Sequence, residues 1–219
     1  MSQAQINVYL AGDSTVQTYG KQQAPQAGWG QYIEHHFTND IHIHNHAIGG
    51  RSSKTFITEG RLENITANID VGDYLLIQMG HNDSTKSRPA RYTEPYEDYK
   101  TYLKEYVTHA REKGAFPILI TPVGRLHYVN DAFLADFGDY CNAMKEVAEE
   151  NDVLLIDLMT RSLDYFEAIG YEATKKLFMV SVNGTDHTHF TDQGAKAMAQ
   201  LVCQGIQKLD IDLSTYIKE

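Results

Sequence analysis

Five short strand-like runs, at residues 8–11, 41–48, 73–79, 115–121 and 153–156, each stop at a glycine or a polar turn, with helical spacing between them. Strands that alternate with helices in this way give a parallel sheet covered on both faces, because parallel strands need crossovers and the crossovers bury the sheet. The fold class is therefore α/β, a three-layer α/β/α sandwich on a five-stranded parallel sheet. Right-handed crossovers put all the strand ends on one edge, where ligands of such sheets bind. Further helices are expected over 28–37, from Pro95 to Lys113, over 139–151, and over 194–209 with Thr191 and Asp192 at its start as cap and first-turn acid.

Composition excludes several partners. Nineteen Lys and Arg against 29 Asp and Glu leave a formal charge of -10, which disfavours nucleic acid and anionic membranes. No window approaches the roughly 20 apolar residues of a membrane span. The polar start, Met1 to Gln5, runs straight into the first strand with no basic and apolar leader, so the expected location is the cytoplasm. A length of 219 residues without a linker or an internal repeat is read as one domain. Cys141 and Cys203 both fall within helical patterns and are read as small buried thiols.

The strand ends carry complementary chemistry. The first run stops at Gly12-Asp13-Ser14, the second at Gly49-Gly50-Arg51-Ser52, and the third at Gly80-His81-Asn82-Asp83, while Asp186-His187-Thr188-His189 lies just ahead of the last helix. A serine hydroxyl becomes a nucleophile when a base takes its proton, and histidine titrates in the right range. Asp186 could orient that base, and the Gly50 N–H and the Asn82 amide suit a developing oxyanion. Chemistry alone does not choose between His187 and His189, and Asp186 and His189 equally describe a polar capping loop.

Gly12-Asp13-Ser14, Gly50, Gly80-His81-Asn82-Asp83 and Asp186-x-x-His189, in this order across most of the chain, resemble the blocks of the SGNH, or GDSL-type, hydrolases. Within that superfamily the likeness is greatest to the rhamnogalacturonan acetylesterases, through Leu10-Ala11-Gly12-Asp13-Ser14-Thr15, Gly28-Trp29-Gly30, Gly49-Gly50-Arg51-Ser52, residues 59–65 and Asp186-His187-Thr188-His189. The resemblance implies a single flavodoxin-like SGNH domain over residues 1–219, with Ser14 as nucleophile, His189 as base and Asp186 as acid. It also implies an oxyanion hole from the Ser14 N–H, the Gly50 N–H and Asn82. The expected reaction is removal of O-acetyl groups from pectin-derived oligosaccharides, a small-molecule substrate, with neither metal nor organic cofactor. The alternatives are a lipid esterase or thioesterase of the same superfamily, or a carbohydrate-binding protein without catalysis.

Three further features each carry two readings. Trp29, the single tryptophan, is either a sugar platform or the residue that packs a helix on the sheet. Arg51 either meets a sugar acid in the substrate or pairs with an internal carboxylate to order its turn. His42, His44 and His46 alternate on one strand face and either bind a metal or form a half-covered polar face. Residues 85–94 and 124–138 match no recognisable pattern and are expected to shape the substrate site.

Overall fold

A computed structural model describes residues 5–218. Along the first strand, β1 (Ile6–Gly12), side chains alternate between two hydrophobic clusters: Val8 and Leu10 enter one, Tyr9 and Ala11 the other. A strand buried on both faces needs a layer of helices on each side. The two-residue β2 (Gln26–Ala27), 3-10 turns at Trp29–Gln31 and Ile33–His36, and β3 (Ile41–Asn45) come next. Helices α1 (Ser53–Thr58) and α2 (Arg61–Thr66) lead to β4 (Tyr74–Gln78). Pro95 then opens a π-helical turn, Pro95–Tyr99, that continues as α3 (Lys100–Glu112) and is followed by β5 (Phe116–Ile120). A small hairpin of β6 (Tyr128–Val129) and β7 (Ala132–Phe133) precedes α4 (Gly138–Glu150) and β8 (Leu154–Ile156). The remaining elements are α5 (Leu158–Ile169), α6 (Tyr171–Lys176), α7 (Val180–Asn183), β9 (Phe190–Thr191) and α8 (Asp192–Ile206).

Five strands form one parallel sheet in the order β3-β1-β4-β5-β8. Helices α5 and α8 and the 3-10 turns pack on one face, α1 to α4 on the other, which gives the expected three layers. Strand order reverses at β1: the chain leaves it for the β3 edge, then returns to build β4 on its other side. The crevice beyond the carboxyl ends of β1 and β4 is the usual ligand position in such a sheet. Ser14 follows β1, and Asn82 follows β4.

A helix over 28–37 does not form. The N–H groups of Trp29 and Gly30 donate to Thr15 O and Val16 O, bonding this segment to the loop after β1 instead of to itself. The approach is close enough that a Cβ on Gly28 would stand 2.3 Å from Gln17 O, and one on Gly30 2.5 Å from Val16 O. The segment therefore folds into short i→i+3 turns. At the other end of the chain, α8 starts as expected, with Thr191 Oγ1 accepting from the Gly194 N–H at 3.3 Å. Cys141 and Cys203 are free and buried, and burial pushes both thiols up to about 12.

Candidate active site

Ser14 stands on a tight turn held from beneath by Asp13. The Asp13 carbonyl accepts from the N–H groups of Val16 and Gln17, and its carboxylate accepts from Thr15 N and Thr15 Oγ1, each at 2.8 Å. Tyr19 closes the turn by donating its hydroxyl to Ser14 O at 2.8 Å. Asp13 is fully buried. Burial alone would raise its pKa, but the His81 imidazole and the two Thr15 donors outweigh it and hold the carboxyl below its ordinary value. The other carboxylate oxygen meets His81 Nδ1 at 3.0 Å, while His81 Nε2 lies 3.1 Å from Val123 O. Both ring nitrogens face acceptor oxygens, so His81 ties the ends of β1, β4 and β5 together.

The loop between α7 and β9 carries Asp186 and His189. His189 Nε2 lies 3.0 Å from Ser14 Oγ, and His189 Nδ1 lies 2.7 Å from Asp186 Oδ2. The second Asp186 oxygen accepts from the backbone N–H groups of Thr188 and His189, both at 3.0 Å, and Asn183 Oδ1 caps the preceding turn through Thr185 N and Asp186 N. Burial works to raise the Asp186 pKa, yet those amide donors and the imidazole leave it below the usual carboxylate value. The ring is thus fixed with Nε2 toward the serine.

His187 lies apart from this chain of contacts. Its carbonyl accepts from Leu126 N, and it borders a separate cavity with Arg125, His127 and Asp136. The structure therefore separates the two histidines that chemistry alone left equivalent.

Gly50 and Asn82 line, with Ser14 and His189, one cavity of about 470 Å³. Gly50 has φ +81, a left-handed conformation that glycine adopts without steric cost. Asn82 Nδ2 donates one hydrogen to Arg51 O at 2.9 Å, which orients the amide and leaves its second hydrogen over. Among the described residues, neither the Ser14 nor the Gly50 N–H donates to a protein acceptor. Three donors are therefore available beside one hydroxyl.

Trp29 is not a sugar platform. It is 1% exposed in the core beneath the site, and its indole N–H donates to Gln78 Oε1 at 2.7 Å. Gln78 Nε2 in turn donates to Thr15 Oγ1 at 2.6 Å, so a buried relay runs from Trp29 to Asp13 under Ser14. An indole enclosed in this way has no face to offer a ligand.

Arg51 does not line the cavity either. Its Nε bonds Glu59 Oε2 at 2.9 Å and its Nη1 bonds Gly49 O at 2.9 Å, so its charge is neutralised within the turn. Arg61 shares the same carboxylate. On β3, His44 stacks on Tyr9 with centroids 4.7 Å apart and bonds Asn7 through Nε2, and His46 packs against the same ring. Among the described residues no group of three His, Cys, Asp or Glu side chains is placed to hold a metal.

Three residues to which the sequence assigned no role stand at or near this site. Asp83, fully buried, accepts from Ser53 N, Ser53 Oγ and Thr93 Oγ1, and so joins the start of α1 to the end of the loop after β4. Burial raises its carboxyl to about 6 against the pull of those donors. Arg88 and Arg91, from the same loop, line the cavity together with Gln17 and Gln23. The signal for them was present only as two cations in a loop of no recognised pattern.

A family model described as GDSL-like lipase/acylhydrolase matches residues 8–202. Among similar proteins, one from Bacillus subtilis (strain 168) described as probable rhamnogalacturonan acetylesterase YesY is 55% identical over 97% of this chain and 98% of its own length. A second from the same strain, rhamnogalacturonan acetylesterase RhgT, is 40% identical over 99% of this chain and 96% of its own. The crystal structure of YxiM from Bacillus subtilis superposes with a TM-score of 0.85 at 32% identity, covering 95% of this chain and 58% of that one.

Proposed function

The chain belongs to the GDSL-like lipase/acylhydrolase family and is a serine carboxylic ester hydrolase, and from that premise we propose that it removes O-acetyl groups from rhamnogalacturonan oligosaccharides through an acetyl-enzyme on Ser14. The observation that carries this reading is the continuous hydrogen-bonded line from Ser14 Oγ through His189 to Asp186, at 3.0 and 2.7 Å. Ser14 Oγ attacks the acetyl carbonyl as its proton passes to His189 Nε2. The Ser14 and Gly50 N–H groups and the Asn82 amide receive the negative charge that develops on the carbonyl oxygen.

Collapse of the tetrahedral intermediate breaks the bond to the sugar oxygen, which leaves with the proton held on His189 Nε2. Water then attacks the acetyl-enzyme, giving its proton to the same nitrogen. The second collapse releases acetate and returns the proton to Ser14. Asp186 keeps the ring in place and stabilises the imidazolium formed in each half-reaction. The cavity wall of Gln17, Tyr19, Gln23, Arg88 and Arg91 brings hydrogen-bonding side chains and an aromatic ring together, a lining that suits a polyhydroxylated substrate.

The test is acetate release from acetylated rhamnogalacturonan fragments, measured beside a series of model esters of increasing acyl length. Release from the fragments, with acetate the preferred acyl group, is expected. A preference for long acyl chains would overturn the carbohydrate assignment.

A further inference from the structure

Among the described residues, six of the 19 Lys and Arg side chains have a carboxylate within 4.0 Å. Arg51 and Arg61 share Glu59, Lys100 and Lys104 meet Glu150, Lys145 meets Asp157, and Lys196 meets Asp192. Arg88 and Arg91 belong to the other 13, in a chain whose carboxylates outnumber Lys and Arg by 29 to 19. They stand together at the cavity that holds Ser14 and His189, whose lining includes no acidic side chain. Two like charges held side by side in an acidic protein cost stability unless something anionic joins them.

The position of Arg91 is specific. A Cβ built on Gly50 would stand 3.8 Å from Arg91 Nη1, so this guanidinium lies beside the proposed oxyanion glycine. Its Nη2 donates to Thr85 Oγ1 at 3.2 Å, whereas its Nε is buried with no partner. The unpartnered Nε is enclosed by protein, so the cavity is reached through the end of the guanidinium, where Nη1 lies beside Gly50. The loop that carries both arginines is also held before any ligand arrives. Arg88 N donates to Thr85 O, Arg91 N and Tyr92 N to Arg88 O, and Thr93 N to Asp83 O, while Tyr140 clamps the end through Thr93 O.

From this geometry we propose that Arg88 and Arg91 form an anion subsite that takes the carboxylate of a uronic-acid unit in the acetylated substrate. The proposal rests on the deacetylase reading above and deepens it, because it assigns the acidic sugar to particular side chains. A planar guanidinium meets a carboxylate through two parallel hydrogen bonds, so the pair would fix the register of the sugar chain and thereby which acetyl group reaches Ser14. It also supplies the local positive charge that an acidic substrate needs in a protein of net charge -10.

The experiment compares three substrates: an acetylated oligosaccharide with free uronate carboxylates, the same material methyl-esterified at those carboxylates, and a neutral acetylated sugar. With the wild-type enzyme, esterification is expected to raise KM about tenfold or more while kcat changes less. With Arg88→Gln/Arg91→Gln, the ratio of kcat/KM on the acidic to that on the neutral substrate is expected to fall by about 10- to 100-fold, and Arg88→Lys/Arg91→Lys to recover part of it. An unchanged wild-type KM on esterification would overturn the subsite without any variant having to fold. Equal losses on acidic and neutral substrates in the glutamine variant would overturn it too, by making the arginines structural. If the wild type released no acetate from any of the three, the deacetylase reading itself would fall.

Discussion

In the proposed mechanism Ser14 and His189 act as one unit, so removing either should cost about as much as removing both. Ser14→Ala and His189→Ala are each expected to lower kcat by roughly 10⁴- to 10⁶-fold, with the double variant little worse. His187→Ala should stay within about threefold of wild type, since its side chain is exposed and its contacts lie in a different cavity. Comparable losses at His187 and His189 in steady-state assays would refute the pairing. Asp83 makes a prediction of a different kind. An unfolded Asp titrates near 3.9, whereas burial lifts Asp83 to about 6 in the folded protein. The folded state therefore holds this proton more tightly, and the resulting stabilisation is complete below about pH 4 and lost as pH rises through about 6. In urea unfolding, the stability of wild type minus that of Asp83→Asn should be greater at pH 4 than at pH 7 by about 2–3 kcal/mol. A difference independent of pH would mean that Asp83 titrates normally.

Helix α8 approaches the turn before α7 so closely that a Cβ on Gly194 would stand 2.0 Å from Leu177 O. The obstacle is backbone, which cannot swing aside, so Gly194→Ala should destabilise the protein by about 1–3 kcal/mol. Because β9 and the His189 loop join α8 directly, the same variant should lose activity well below its melting temperature; melting and rate measured on one preparation would decide. This contact was invisible in the sequence, where Gly194 is one glycine at a helix start. What could be read was set by local physics. Alternation and apolar runs placed β1, β3, β4, β5 and β8, and the Thr191 cap placed α8, because each depends on residues near in sequence. The 28–37 segment could not be read, since its amides bond to Thr15 and Val16 across the chain. The same limit applies to the site. Ser14, Gly50, Asn82, Asp186 and His189 fall in short blocks at strand or loop ends, whereas which of the two readings of Arg51 holds depended on where Glu59 lies.

Net charge and local charge oppose each other in this protein when the substrate is an acid. With -10 charges placed at about 17 Å, the radius of gyration for a chain of this length, repulsion of one carboxylate in water is about 2 kcal/mol without salt and about 0.3 kcal/mol at 0.15 M salt. A guanidinium in contact with that carboxylate contributes about 1–4 kcal/mol, depending on how much water the cavity excludes, and salt weakens a contact pair far less than it weakens a distant field. At physiological ionic strength the two arginines therefore dominate; at low salt the two effects are comparable. For Arg88→Gln/Arg91→Gln only the repulsion is left. Losing two cations takes the net charge from -10 to -12, and kcat/KM on an acidic acetylated oligosaccharide should rise roughly five- to tenfold between 10 and 150 mM salt, the relief expected from screening alone. The wild-type value should change less or fall, so the gap between the two enzymes should narrow as salt is added. Both should be flat on a neutral acetyl ester, which serves as the control for salt effects on the chemistry. A variant whose rate on the acidic substrate ignored salt would show that the acidic surface is not felt at Ser14, and the need for a compensating cationic pair would disappear with it.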